Sequence, residues 1–351
     1  MVDYELLIVS PETKVIDAMA VIDKNSKGIV FICDGEILKA TLTDGDIRRH
    51  ILRKGGLNAP VGEIGNSQFK YTTHGQSDKT TKLLTEKWKH IPMIDEKGRI
   101  IGVSSYDNAE HPHQKPQINI PVVIMAGGKG SRLYPYTSVL PKPLIPLGEL
   151  TITEHIMNSF IKYGCNDFSM IVNHKKNMIK AYFSDKENGS YKVDFFEEDK
   201  PLGTGGGLSL LRNKINETFF MTNCDIIVFE DYSKILEHHL AAKNLLTVVC
   251  STKEFTIPYG SVEIDDDGKL VSITEKPQFA SLVNTGLYVI EPEFLNCVPQ
   301  DSFWHITDLI ISCVEKGIEI GIYPVGESQW ADMGQHDEMK RMLKMLKERH
   351  I

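Results

Sequence analysis

The residues with the clearest chemical purpose lie between 126 and 143. They read Ala126-Gly127-Gly128-Lys129-Gly130-Ser131-Arg132-Leu133, then Pro135, Thr137 and Pro141-Lys142-Pro143. The apolar run Ile120–Met125 leads into them. A buried strand feeding a glycine-rich loop is how α/β folds turn backbone N–H groups towards a phosphate. Two common loops of this kind are excluded. The pattern G-x-x-x-x-G-K-[ST] is absent. The dinucleotide pattern G-x-G-x-x-G fails because Gly128-x-Gly130 is followed by Ser131-Arg132-Leu133. An arginine where the third glycine would stand points to a working cation rather than to close helix packing. Flanking prolines stiffen the chain around Lys142, which suits a lysine that must meet a phosphate at a fixed place.

From residue 120 almost to the end, the chain resembles the sugar-1-phosphate nucleotidyltransferases. The signature G-G-x-G-[ST]-R-L-x-P-x-T followed by P-K-P stands here as Gly127 to Thr137 and Pro141-Lys142-Pro143. Further matches follow in the family's order: Pro201-Leu202-Gly203-Thr204-Gly205-Gly206-Gly207, Asn223-Cys224-Asp225, Pro258-Tyr259-Gly260, Glu275-Lys276-Pro277, Asn284-Thr285-Gly286 and Trp330-Ala331-Asp332-Met333-Gly334. Cys224 departs from the glycine that usually precedes the aspartate.

The resemblance implies a Rossmann-like, glycosyltransferase-A-like α/β core over residues 120–351. It implies that an NTP and a sugar 1-phosphate react to give an NDP-sugar and pyrophosphate. The nucleotide would lie on Ala126, Gly127, Gly128, Gly130 and Ser131, with its base near Gly203 and Thr204. Arg132 and Lys142 would neutralise the triphosphate and the leaving pyrophosphate. Lys276 would grip the incoming sugar phosphate, beside Gly260, Glu275, Asn284 and Thr285. Asp225 and Asp332 would hold Mg2+. Such a transfer asks for positioning and charge neutralisation, and the sugar phosphate needs no general base. Similar bacterial fusions point to GTP and a hexosamine or hexose 1-phosphate, feeding surface glycan or nonulosonic acid synthesis.

The first 110 residues hold an internal repeat. Ser10-Pro11-Glu12 reads as a helix start, followed by Val15, Ala18, Met19 and Ile22 at helical spacing. Two short apolar runs flank an Asp34-Gly35 turn, and Thr43-Asp44-Gly45-Asp46 closes the unit. The same order recurs later, with Ser104 and Asp107 each 61 residues after Thr43 and Asp46. This half resembles a tandem pair of cystathionine-beta-synthase (CBS) domains, an α+β regulatory module with repeats at about 1–57 and 58–110. In that family the hydroxyl of [ST]-x-x-D meets a ligand phosphate and the carboxylate holds ribose hydroxyls. Thr43, Asp46, Ser104 and Asp107 are therefore candidate ligands for a regulatory nucleotide. The alternative is that Asp46 and Asp107 only cap the helices that follow. A polar, proline-containing segment at 111–119 reads as a linker. CBS pairs commonly associate face to face, so a homodimer through this half is expected.

Composition narrows the partners. The formal net charge is -8. Residues 1–119 hold 16 basic and 16 acidic side chains, so the excess of acid lies wholly in the remainder. Neither half has the basic surplus of a nucleic-acid binder. No apolar stretch is long enough to span a membrane. The six cysteines are scattered without a C-x-x-C pair, which fits a reducing, cytoplasmic setting. Two other readings compete. One is a non-catalytic nucleotide-binding regulatory subunit, which loss of Arg132, Lys142, Asp225 or Asp332 would favour; all four are present. The other is a uridylyl- or cytidylyltransferase with a different acceptor. A phosphocholine acceptor would want an aromatic cage rather than Glu275 and Asn284-Thr285-Gly286.

Overall fold

The computed structural model describes residues 4–25, 27–73, 89–105, 116–186, 191–334 and 336–348. It resolves into two compact units that do not follow chain order. One comprises Gln114–Ser251, Asn284–Tyr323 and Gln329–Ile351. The other comprises Met1–His113, Thr252–Val283 and Pro324–Ser328. A division at residues 111–119 does not anticipate that 252–283 and 324–328 cluster with the N-terminal unit.

The core unit is built on a seven-stranded sheet. Its strands run in the order Lys192–Glu197, Asp167–Val172, Val122–Ala126, Phe219–Asn223, Gln278–Ile290, Leu246–Thr256 and Gly321–Val325. The first four are mutually parallel, and Gln278–Ile290 lies antiparallel to Phe219–Asn223. Val122–Ala126 is buried along its whole length, as a central parallel strand covered on both faces must be. Its two neighbours come later in the chain and lie on opposite sides. The crevice at its carboxyl end is therefore a topological switch point, where α/β sheets receive ligands. Helix Ile152–Ile161 packs beneath the sheet with almost every residue buried. Its start is set by a capping box: Glu154 N donates to Thr151 Oγ1 (3.2 Å) and Thr151 N donates to Glu154 Oε2 (2.7 Å).

In the other unit the two halves of the sequence repeat have one topology. Ile8–Val9 runs parallel to Ile29–Asp34, which pairs antiparallel with Ile37–Thr43. Thr72–Thr73 runs parallel to His90–Ile94, which pairs antiparallel with Ile100–Ser105. Both hairpins shift register at one place, between Ile32 and Cys33 and between Met93 and Ile94.

Val15, Ala18, Met19 and Ile22 are buried on one helix face, as their spacing requires. The helix starts at Val15, however, and not at Pro11. Ser10 to Thr13 form a separate turn. The first helical N–H groups are satisfied from afar: Val15 N donates to Ala59 O (2.9 Å) and Ile16 N to Leu57 O (3.0 Å). A tertiary contact replaces the local serine cap.

Thr43 and Asp46 form a capping box for helix Asp44–Leu52. Asp46 Oδ2 accepts from Thr43 N (2.9 Å) and Thr43 Oγ1 (2.6 Å), and Arg49 pairs with the same carboxylate. The capping alternative thus has its geometry in place for Asp46. Ser104 lies on the strand Ile100–Ser105. Asp107, the expected second-repeat helix and the linker fall mostly or wholly outside the described residues.

Candidate active site

Each parallel strand delivers one functional segment at its carboxyl end. Val122–Ala126 runs into the glycine loop, Asp167–Val172 into Asn173, Lys192–Glu197 into Glu198, and Phe219–Asn223 into Cys224-Asp225. These segments line one pocket of about 800 Å³. Of the candidate residues, Gly127, Gly128, Gly130, Arg132, Lys142, Gly203, Thr204, Asp225, Asn284, Thr285 and Asp332 all line it. Ala126 is the buried last residue of the strand, and Ser131 opens the exposed turn that carries Arg132. Gly260, Glu275 and Lys276 are not among the lining residues and belong to the other unit. There a methyl group on Gly260 would stand 3.1 Å from Glu275 Oε2. Lys276 holds a left-handed backbone, φ 46°. A non-glycine residue there costs on the order of 1–3 kcal/mol, and such strain is concentrated at functional sites.

The glycine loop is pinned from beneath. Gly130 adopts φ 65°, open to glycine at little cost, and its carbonyl accepts from Thr137 Oγ1 (3.0 Å). The Lys175 ammonium donates to the carbonyls of Thr137 (3.0 Å), Ser138 (2.7 Å) and Val139 (2.9 Å). This fixes the link between Arg132 and Lys142. Arg132 is exposed on the pocket wall. Lys142 is half-buried, and its ammonium is hydrogen-bonded to Asp225.

Asp225 and Asp332 meet through a short antiparallel ribbon, Ile226–Val228 against Trp330–Asp332. Ile226 pairs with Asp332, and Met333 N donates to Asp225 O (2.8 Å). The ribbon thus brings together two carboxylates from distant parts of the chain. Burial and then the charge of Asp225 raise the pKa of Asp332, while the Gly334 N–H and Lys142 oppose the rise. Burial works to lower the Lys142 pKa, but Asp225 outweighs it and the net shift is upward. The Cys224 thiol, pushed up to about 12 by burial, is no nucleophile.

This carboxylate pair fits a magnesium ion. The donors are hard oxygens, their mutual repulsion asks for a cation, and two protein ligands leave room for phosphate and water. Among the described residues no group of three or more His, Cys, Asp or Glu is gathered as a closed metal site.

The remaining candidates have structural duties as well. Gly206 is required because a side chain would strike Ser302 O at 2.2 Å, so this segment is glycine-rich to pack on the 302–305 backbone. Thr204 Oγ1 accepts from Ile306 N (3.1 Å). Thr285 Oγ1 donates to Val249 O (2.7 Å), and Asn284 Nδ2 donates to Tyr288 Oη (2.6 Å).

Sequence reasoning missed Glu198 and Asn173. Glu198 is only 5% exposed although it lines the pocket. Its carboxylate lies between the two glycine segments: methyl groups on Gly127 and Gly207 would each stand 2.9 Å from one of its oxygens. Burial pushes its pKa up to about 7. Asn173 Nδ2 donates to the Glu198 carbonyl (3.1 Å) and holds the turn. The available signal was position, since each is the first polar residue after a parallel strand.

Comparison with known proteins agrees with this geometry. Residues 121–349 match the nucleotidyl transferase family, and the chain belongs to that family. It is 28% identical over 233 residues to a UTP–glucose-1-phosphate uridylyltransferase of Synechocystis, covering 61% of this chain and 60% of that one. It is 26% identical over 226 residues to a mannose-1-phosphate guanylyltransferase of Mycobacterium tuberculosis, covering 63% of each. It is 32% identical over 221 residues to the bifunctional protein GlmU of Methanococcus maripaludis, covering 60% of this chain and 51% of that one. The match thus spans about half to two-thirds of the length of these relatives. Among solved structures, HddC from Yersinia pseudotuberculosis superposes with a TM-score of 0.51 at 25% identity, covering 64% of this chain and 98% of that one.

Proposed function

We propose that the chain is a magnesium-dependent sugar-1-phosphate nucleotidyltransferase. An oxygen of the sugar phosphate attacks the α-phosphorus of an NTP, the bond from that phosphorus to the bridging oxygen breaks, and pyrophosphate leaves with the electron pair. The observation that carries this reading is the joint presence of Arg132, Lys142, Asp225 and Asp332 in one pocket with the glycine loop. The loop amides orient the triphosphate. Arg132 and Lys142 neutralise charge that grows on the leaving pyrophosphate, where a guanidinium can act bidentately. Asp225 and Asp332 would hold the magnesium ion, which when bound offsets the charge of the phosphates. Lys276, with Gly260, Glu275, Asn284 and Thr285, is assigned to the sugar phosphate on the strength of the family resemblance.

GTP is the favoured nucleotide. Glu198 supports this choice above pH 7, where its carboxylate is ionised and only accepts hydrogen bonds. Guanine offers two adjacent donors, N1–H and N2–H, whereas uracil offers one donor between two carbonyls. A relative named as a mannose-1-phosphate guanylyltransferase agrees, although a uridylyltransferase stands beside it. The acceptor is assigned to the hexosamine or hexose 1-phosphates, for surface glycan or nonulosonic acid synthesis. Residues 1–110 are assigned to a CBS pair that senses a nucleotide at Thr43 and Asp46 and at Ser104 and Asp107. The enzyme is proposed to act in the cytoplasm as a homodimer. No helix among the described residues is long and apolar enough to cross a membrane. The test is a matrix of NTPs against sugar 1-phosphates, read as pyrophosphate release with magnesium. GTP should exceed UTP by at least tenfold, and a uridylyl preference would remove the guanylyl assignment.

A further inference from the structure

Asp23 stands in the last turn of helix Val15–Asn25. The helix dipole disfavours an acid there, so the helix itself gives no reason for this residue. Its carboxylate is turned to a distant part of the chain. Ser328 N donates to Asp23 Oδ2 (3.2 Å) and Ser328 Oγ donates to Asp23 Oδ1 (3.1 Å). On helix Asp44–Leu52, Arg48 Nε donates to Pro324 O (3.0 Å). Both ends of Pro324–Ser328 are thus held by charge-assisted hydrogen bonds, which are roughly twice as strong as neutral ones. The middle is fitted as closely: a methyl group on Gly326 would stand 2.5 Å from Asp23 Oδ1. Asp23, Arg48 and this strap all fall in the same compact unit.

The strap runs directly into the segment that carries Asp332. Gln329 O accepts from Phe229 N (2.7 Å), and Gln329 Nε2 donates to Glu230 Oε2 (3.1 Å). From there Trp330–Asp332 pairs with Ile226–Val228, and Met333 N donates to Asp225 O (2.8 Å). A two-stranded ribbon is marginal by itself, so what holds its ends decides how firmly Asp332 is kept beside Asp225. Magnesium demands near-ideal octahedral geometry, so lost order in one carboxylate lowers its affinity.

We propose that Asp23 is a positioning residue for the metal site. Through Ser328 it fixes the entry to the strand Trp330–Asp332, and so the place of the Asp332 carboxylate. Arg48 fixes the other end of the same strap. Neither residue lines the pocket, so neither acts on the substrates directly. The inference rests on the reading of Asp332 as a magnesium ligand.

The test uses the full chain. In hydrogen exchange without metal, Asp23→Ala should speed exchange at the Phe229 and Met333 amides ~10-fold, about what losing one charge-assisted hydrogen bond permits. Exchange in the buried strand Val122–Ala126 should not change. Manganese, followed by electron paramagnetic resonance as a probe of the magnesium site, should bind ~10-fold more weakly, the low end for a change behind a metal ligand. In the pyrophosphate-release assay, raising magnesium should restore most of kcat, because the loss lies in metal affinity. Asp23→Asn, which keeps an acceptor for one of the two bonds, should recover part of each effect. Where Asp23→Ala does not fold, Gly326→Ala and Ser328→Ala decide, and both should show the same changes. Unchanged exchange at Phe229 and Met333 in the folded variants overturns the proposal. A manganese affinity that Asp332→Asn lowers and the strap variants do not removes the proposal alone. One that Asp332→Asn also leaves unchanged removes the metal assignment, and this proposal with it.

Discussion

The ammonium of Lys142 is hydrogen-bonded to the carboxylate of Asp225, a residue that the ribbon pairing of Ile226 with Asp332 brings beside a second acid. The lysine thus supplies part of the positive charge that the carboxylate pair requires. Lys142→Ala should leave the two acids uncompensated and lower stability by about 2–3 kcal/mol in chelator, since orphaning a buried partner is costly. Magnesium should restore most of that loss in the variant and add less to the wild type. Melting curves with and without magnesium check this; equal metal effects on both proteins would contradict it.

Arg132 is exposed and lines the pocket, so its role is electrostatic rather than structural. Arg132→Ala should lower kcat by ~10²–10³, the usual cost of removing one transition-state charge contact. Its melting temperature should stay close to wild type, because exposed substitutions shift stability by only ~0.5 kcal/mol. An effect confined to the KM of the sugar phosphate would reassign it.

Glu198 links specificity to pH. Its carboxyl titrates about 7 in the fold against an ordinary value of 4.5. The folded state therefore binds this proton more tightly than the unfolded chain does. The resulting penalty is absent below the ordinary value, grows as pH rises from there, and is complete above 7, reaching about 3 kcal/mol at ~1.4 kcal/mol per unit. Glu198→Gln should therefore be more stable than wild type at alkaline pH and nearly equal to it in acid. The same change should cut kcat/KM for GTP by ~10–100-fold and narrow its lead over UTP. Unchanged base preference would remove Glu198 from the recognition edge.

Asp46 bears a cap and, by proposal, a ligand. Asp46→Ala should cost about 1 kcal/mol through the lost cap and leave basal turnover intact. Asp46→Asn keeps an acceptor for the cap but loses the charge that Arg49 pairs with. If a nucleotide binds there, calorimetry should show weakened binding in both variants. Binding that survives in both would leave Asp46 as a cap alone.

Much of the pocket was legible because its parts are local. The glycine loop, Arg132 and Lys142 lie within 17 residues, where a strand and prolines dictate their setting. Asp225 and Asp332 were legible only through family resemblance, since a two-stranded ribbon brings them together. Glu198 was invisible because a lone acid after a strand carries no motif. The helix start at Val15 was misplaced because its caps come from Leu57 and Ala59, more than forty residues away. Gly206 was legible as a glycine but not as a close contact with Ser302. Long-range packing, rather than local propensity, set each of these.

In the proposed transfer, two carboxylates and two cations serve one phosphorus. It is tested most directly by ³¹P NMR of the full chain with GTP, a hexosamine or hexose 1-phosphate and magnesium. The GTP β-phosphorus signal should disappear with equal growth of pyrophosphate and a sugar-linked diphosphate, and Asp225→Asn or Asp332→Asn should abolish this conversion. Nucleotide that binds but stays intact with every sugar phosphate, or that decays to GDP and inorganic phosphate, would contradict it.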